Sequence, residues 1–370
     1  MGNTVTSSIK KLDWILIGAI VLLLIIGLLS IASTSQARTG DFLIFKKQLA
    51  FAIIGLTLLF LLTSIDYRFL RNYPAVILTL YAISIILLLL LFIFGSRIKG
   101  SVSWFRLSSP AGSLGFEPVE ATKFVLIALL AKYFSSRHVD FGLIRHVLIS
   151  GLYVFIPVFL VLLQPDLGSA ALLIVIWIGI MLLSGIRMRH LLALLLIFTI
   201  LGGLGWGFFL KEYQRNRILT FISPQKDSLG SGYNVLQSII AIGSGGFWGK
   251  GLGHGSQSQL NFLPEQHTDF IWATIAEEWG FFGVSLLLIL WSIVFWRLLI
   301  ITMNSNTNFA KLFIFGFTLL LLAHISINIG MNVGFFPVMG IPLPLLSYGG
   351  SSLIITLATF GIVQNIKINS

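Results

Sequence analysis

The chain is patterned as a succession of apolar runs, each about 20 residues long, divided by short polar breaks and by one long polar interruption. A run of that length crosses about 30 Å of hydrocarbon as a helix, because each residue of an α-helix rises about 1.5 Å. About ten such runs begin near Trp14, Gln48, Ala75, Pro118, His146, Gly168, His190, Asp269, Phe309 and Tyr348. The first, Trp14 to Ala32, is as long as a span and lacks a small-residue cleavage site, so it reads as a retained helix and not a cleaved leader. The expected fold class is all-α: a polytopic integral membrane protein of about ten transmembrane helices. It forms a single transmembrane domain over residues 1–370, with a large extracytoplasmic loop at 211–268.

Composition agrees with the pattern. With 56% hydrophobic residues, 10% charged residues and a mean hydropathy of +0.97, the chain lies outside the range of soluble domains. Its net charge of +11 points to anionic headgroups or anionic substrates. Nucleic acid is not an expected partner, since neither a soluble basic domain nor an aromatic-rich binding sheet is apparent. There is no cysteine, which removes disulfides, thiolate metal sites and cysteine nucleophiles.

An even number of spans puts both termini on one side of the membrane. Lys and Arg number twelve on that side and eleven on the other, but five of the eleven fall in the long loop. Long loops translocate largely regardless of charge, so the positive-inside rule places both termini in the cytoplasm. Three further polar segments then join the long loop on the outer face: Gly95 to Glu117, Gln164 to Gly168, and Gly334 to Ser352. All are rich in turn-forming Gly, Pro and Ser. Irregular backbone at membrane depth is tolerated only inside protein or along a watery space, so together they suggest an outward-facing cavity.

Among 13 carboxylates, Glu117, Glu120, Asp166, Asp269, Glu277 and Glu278 fall at outer helix ends or within helices, where each is costly unless paired or wetted. Glu120 and Lys123 are three residues apart, share a helical face, and read either as a self-neutralising pair or as substrate contacts. A lone cation at the depth of Lys123 could seat a phosphate. Asp269 follows Gln266, His267 and Thr268 and opens an apolar run. It reads as a helix cap or as a general base raised by partial desolvation. Glu277, eight residues on, would extend an acidic stripe along the same helix. Arg215 and Arg217 sit just outside a span, where guanidinium forks suit diphosphate oxygens or lipid headgroups. Trp104, among serines and arginines in an outer loop, reads as an interfacial anchor or a sugar-stacking ring. His254 and His267 lack zinc-ligand spacing, so no resident metal is assigned. Mg²⁺ or Mn²⁺ carried with a diphosphate remains compatible, because such ions bind through few carboxylates. The run IAIGSGGFWGKGLGHG lacks P-loop spacing and reads as a flexible loop.

The segments YQRNRI, GSGYNVLQSIIAIGSGG, GKGLGHGSQSQLNFLPEQHTDFIWATIAEE and PLPLLSYGGSS, with QPDLG earlier, resemble those of the SEDS family (shape, elongation, division and sporulation) over essentially the whole chain. Within it, GSQSQLNFLPEQHTDF is more similar to the elongation branch than to the division branch. The resemblance implies a ten-helix glycosyltransferase of the bacterial inner membrane that polymerises lipid II into glycan strands. It also implies a partner, a class B penicillin-binding protein that crosslinks the product, and undecaprenyl-diphosphate-linked substrates held among membrane lipids. The family's catalytic aspartate corresponds to Asp269, its polar pair on the fourth helix to Glu120 and Lys123, and its outer-loop aromatic to Trp104. Arg215, Arg217 and His267 lie in the same matching segments. Two rival readings stand beside the one the resemblance implies: a lipid II flippase, which would also need many helices, a polar cavity and intramembrane charges, and a non-catalytic scaffold for wall enzymes.

Overall fold

In the computed structural model, residues 11–39, 42–98, 101–107, 114–136, 144–208, 215, 219–221, 230–260 and 262–370 are described. The chain opens with α1 (Trp14–Thr39), α2 (Leu43–Thr63), the short α3 (Arg68–Asn72) and α4 (Pro74–Phe94). Three strands follow, β1 (Ser96–Ile98), β2 (Ser101–Leu107) and β3 (Leu114–Phe116), and then α5 (Pro118–Ser135), α6 (Ile144–Leu163), α7 (Leu167–Leu183) and α8 (Met188–Phe208). Two helices, α9 (Ser231–Ser244) and α10 (Ser256–Gln259), precede the long α11 (Ile271–Asn304), α12 (Asn308–Asn332) and α13 (Gly350–Ile368).

Among the described residues seven helices are long and apolar enough to cross a membrane: α1, α2, α4, α6, α11, α12 and α13. Their outward faces carry exposed Ile83, Ile86 and Ile93 on α4 and Leu148, Leu152 and Phe155 on α6. An apolar surface of that extent is untenable in water and ordinary in lipid. The protein is therefore a mostly helical, polytopic membrane protein.

The bundle is closed by contacts between its first and last spans. At one end Asp13, 2% exposed, accepts from Arg297 Nη2 of α11 at 2.6 Å and from Arg297 Nε at 2.9 Å. Gln364 Oε1 of α13 accepts from the Asp13 N–H at 2.9 Å. A charge so placed is tolerable only because the guanidinium fork meets both carboxylate oxygens. α2 lies along α13 at Gly55 and Gly361, where a Cβ would come within 2.5 Å of Leu357 Cδ1 and of Leu59 O. Small residues at such crossings let helices approach closely without a hydrophobic drive.

The all-α expectation is corrected by the sheet. The strands run antiparallel in the order β1-β2-β3, with Phe105 facing Phe116 and Arg106 facing Gly115. The flanking glycines and serines read as loop, yet SVSWFRL holds β-branched and aromatic residues suited to a short strand. The 211–268 interval is likewise not plain loop, since it contains α9 and α10.

A second correction concerns the glycine-rich run, which is fastened and not loose. Gly280 interrupts α11 with φ 66° and ψ −163°, a conformation open essentially to glycine. The interruption frees backbone groups, and the segment before α10 takes them up. Lys250 N donates to Glu277 O at 3.0 Å and Gly251 N to Glu278 O at 2.9 Å. In return Phe281 N donates to Gly246 O at 2.9 Å and Phe282 N to Phe247 O at 3.1 Å. Gly280→Ala would force a Cβ to 2.2 Å from Gly249 N and into a disfavoured φ. The variant is expected to lose about 1–3 kcal/mol of stability, seen as a lower melting temperature in detergent; an unchanged melting temperature would contradict this role for the break.

Candidate functional site

The polar groups converge where the ends of α5, α7, α12 and α13 nearest Asp269 meet the segment leading into α11. The N-cap position of α11 is Phe270, and Asp269 stands one residue before it. Three consecutive carbonyls just before that helix are held by side chains and main chain from elsewhere. His267 O accepts from Tyr348 N at 2.7 Å, Thr268 O from Ser347 Oγ at 2.6 Å, and Asp269 O from Asn328 Nδ2 at 3.1 Å and Asn332 Nδ2 at 3.0 Å. Asn328 Nδ2 also reaches Ile341 O at 2.8 Å, while Asn332 Oδ1 accepts from Ala273 N at 3.3 Å. Buried carbonyls without partners cost stability, so this fastening both settles the backbone and fixes where the Asp269 side chain begins.

The carboxylate of Asp269 is half-buried and borders Gly340, where a Cβ would lie 3.8 Å from Oδ2.

The PLPLLSYGGSS segment ties this point to the rest. Its Ser347 accepts from Leu343 N at 2.8 Å, and Gln48 of α2 donates to Ser347 O at 3.0 Å. Ser351 Oγ accepts from Glu117 N at 3.0 Å, immediately after β3. Trp104 on β2 lies across Gly115 on β3, where a Cβ would meet its ring at 2.8 Å. Trp104 is thus half-buried in the sheet that leads into Glu117.

Lys123 is sealed. It is 2% exposed, bonds Glu120 at 2.8 Å, and donates to His324 Nε2 at 3.2 Å. His324 Nδ1 lies 2.9 Å from Leu320 O, an arrangement that assigns the ring proton to Nδ1 and leaves Nε2 to accept from the ammonium. The recess beside Glu120 and His324 measures about 20 Å³, the room of roughly one water. The ammonium of Lys123 is thus paired inside the bundle, beside that recess. Another recess, about 280 Å³, is lined by Tyr67, Phe69 and Phe124, among others, and not by Asp269, and is nearly all apolar.

Glu117 joins the cluster electrostatically. Burial pushes its carboxyl well above the ordinary range, Glu120 and Asp166 push further, Lys123 opposes, and Asp269 adds a smaller rise. Asp166 itself caps α7 by accepting from Ser169 N at 3.0 Å.

Other expected residues fall elsewhere. His267 is buried with Nδ1 2.8 Å from Thr34 Oγ1 of α1, which docks the segment on the first span. Glu277 and Glu278 do not form a stripe with Asp269. Glu277 accepts from Lys250 Nζ at 2.8 Å, Gln257 N at 2.9 Å and Ser258 N at 3.0 Å, holding the start of α10. Glu278 accepts from Ser33 Oγ at 2.5 Å and Gln259 Nε2 at 3.0 Å. Arg215 is half-buried and donates from Nη2 to Gly207 O at 2.9 Å, at the carbonyl-rich end of α8. Arg217 lies outside the described residues. The residues that sequence reading missed are His324, Asn328 and Asn332. Spaced by four along an apolar span, they form a polar stripe on one face, and that spacing was the available signal.

Comparison with known proteins places the chain. Residues 10–370 match the FtsW/RodA/SpoVE family model, described as cell cycle protein. The chain belongs to this family, the SEDS family. It is 38% identical to the peptidoglycan glycosyltransferase MrdB of Escherichia coli K12, over 90% of this chain and 87% of that protein. With stage V sporulation protein E of Bacillus subtilis it shares 33% identity over 96% of both chains. Among solved structures, a chain of a peptidoglycan synthase complex that coordinates polymerization and crosslinking superposes with a TM-score of 0.82 at 31% identity, covering 97% of this chain and 98% of that one. The rod shape determining protein RodA of Thermus thermophilus gives a TM-score of 0.71 at 29% identity, covering 96% of each. This SEDS member is thus closely related to peptidoglycan glycosyltransferases.

The Glu117 environment makes a pH-dependent prediction. A carboxyl raised on folding contributes stability that is full below its unfolded value, about 4.3, and is lost as pH rises through its folded value. Glu117→Gln stays neutral throughout, so its melting temperature should pull ahead of wild type as pH rises and converge with it on the acid side. A gap that closes with rising pH would contradict the assignment.

Proposed function

We propose that this protein polymerises lipid II into glycan strands during cell elongation, with Asp269 as the general base. The observation that carries the reading is the fastening of the three carbonyls leading to Asp269, whose carboxylate borders Gly340. Such main-chain fixation suits a group that must meet one hydroxyl in one geometry.

The reaction joins the 4-hydroxyl oxygen of an acceptor GlcNAc to the anomeric carbon of a donor MurNAc, with inversion. The bond from that carbon to the undecaprenyl diphosphate breaks, the diphosphate takes the electron pair, and the hydroxyl proton passes to Asp269. Developing negative charge on the diphosphate calls for a nearby cation. In this reading the role is assigned to Arg215, whose guanidinium here bonds Gly207 O, and to Arg217 of the same segment. Lys123, committed to Glu120 and His324, acts through the local potential and not by contact. Trp104 stacks against a sugar at the rim of the site. His267 supports the segment through Thr34 and makes no substrate contact.

Hard carboxylate oxygens suit Mg²⁺ or Mn²⁺ arriving with the diphosphate. Among the described residues no group of three or more acidic or histidine side chains is arranged to hold a metal. Asp269 and Glu117 are the residues such an ion would face, and it would neutralise phosphate oxygens.

In this account α5, α7 and α8 complete ten spans in the bacterial inner membrane, with both termini cytoplasmic and the 211–268 interval outside. The solved synthase complex supports a crosslinking partner, here a class B penicillin-binding protein. Working on substrates that stay tethered to lipid explains why the polar junction lies at the outer ends of spanning helices.

The test is polymerisation of lipid II in vesicles by the protein with its class B partner, comparing wild type with Asp269→Asn while following lipid II sidedness. Glycan ladders from wild type and a loss of at least about 100-fold in the folded variant are expected. Lipid II crossing the bilayer without ladders would replace the reading with a flippase, and ladders from the Asn variant would remove Asp269 as the base.

A further inference from the structure

At the Gly280 break four aromatic rings stand together on the molecular surface. Trp248 is 76% exposed, Phe281 60%, Phe247 57% and Phe282 55%. Their rings touch in sequence, Phe247 to Trp248 at 5.0 Å, Phe247 to Phe281 at 5.7 Å and Trp248 to Phe282 at 6.1 Å. Two belong to α11 and two to the glycine-rich segment strapped over the break.

Helix lengths set the height of this cluster. Beyond the break, Phe281 to Asn304 rises roughly 36 Å at about 1.5 Å per residue, enough to cross the bilayer without the residues before Gly280. α12, which returns from the same turn, has 25 residues and a similar rise. The aromatic row therefore stands where the span leaves hydrocarbon. It continues the lipid-facing surface of α11, on which Ile289 is 57% exposed.

The backbone bears the marks of that location. An interruption facing water could leave its freed groups to solvent. Here Glu277 O, Glu278 O, Phe281 N and Phe282 N all pair with the strap, as irregular backbone must at membrane depth. The strap lies main chain on main chain. A Cβ at Gly245 would fall 2.0 Å from Ala276 O, and one at Gly249 2.2 Å from Glu278 O. Lys250, the one charged residue between Gly245 and Leu252, turns its ammonium to Glu277 and Ser256, each at 2.8 Å.

We infer that the strap from Gly245 to Leu252 is seated in the bilayer, with Phe247 and Trp248 inserted at the boundary between headgroups and acyl chains of the leaflet at the Asp269 end of the bundle. Trp and Phe favour that layer because their rings bury apolar area beside polar headgroups. The occupant of this surface is phospholipid. The inference rests on the spanning role of α11 and stands whether or not the protein is a polymerase.

Because the natural sequence has no cysteine, single nitroxide labels can be placed directly. Trp248→Cys and Phe247→Cys would be labelled in the full chain in phospholipid bilayers. Ile289→Cys serves as the hydrocarbon reference and Asn306→Cys, in the turn between α11 and α12, as the aqueous one. Power saturation against oxygen and a water-soluble nickel chelate should give at both strap positions an oxygen-to-nickel ratio several-fold above Asn306 and approaching Ile289. Ratios matching Asn306 would overturn the inference. Protection from both reagents would overturn it too, since it would mean cover by a second protein copy and not by lipid.

Discussion

Main-chain polar groups at membrane depth must find partners inside the protein, and the form of this molecule follows from that constraint. Straight spans meet it automatically. Two departures from straight spans among the described residues show how it is met elsewhere. The Gly280 break exchanges hydrogen bonds with the strap before α10. The segment leading into α11 hands its carbonyls to α12 and to the loop before α13. In both places irregular backbone is tolerated because a distant part of the chain was shaped to receive it.

Charge is managed by the same economy. Asp13 with Arg297, Glu120 with Lys123 and Glu277 with Lys250 are buried or half-buried pairs that hold helices and loops together. Removing one partner from such a pair costs more than the pair contributes, because it leaves a desolvated charge. Asp269 differs in kind. Its main chain, not its carboxylate, is what the surrounding asparagines hold, and Glu117 beside it is pushed toward its neutral form. The junction so formed is acidic, and the ammonium of Lys123 within the bundle is already paired with Glu120.

Much of this was legible from residues. The apolar runs announced the membrane, and the segment ending in HTDF pointed to Asp269. What stayed hidden had physical causes. The three-stranded sheet is too short for alternation to stand out against its glycines and serines. The stripe of His324, Asn328 and Asn332 was masked by the mean hydropathy of its span, although the spacing of four was visible. Glu277 looked like an extension of the site because the break at Gly280 and the docking of α10 depend on contacts between segments far apart in sequence. Glycines that seemed to confer looseness instead permit close approach, which sequence alone does not distinguish from flexibility.

The central claim is that Asp269 is fixed to receive one proton, and geometry tests it most directly. A structure of the chain with a lipid-linked acceptor and a donor that cannot react should place the GlcNAc 4-hydroxyl about 2.6–3.2 Å from an Asp269 carboxylate oxygen, with the fastening by Asn328 and Asn332 intact. An acceptor hydroxyl bound to a different side chain, with Asp269 out of reach even through a water, would contradict the account.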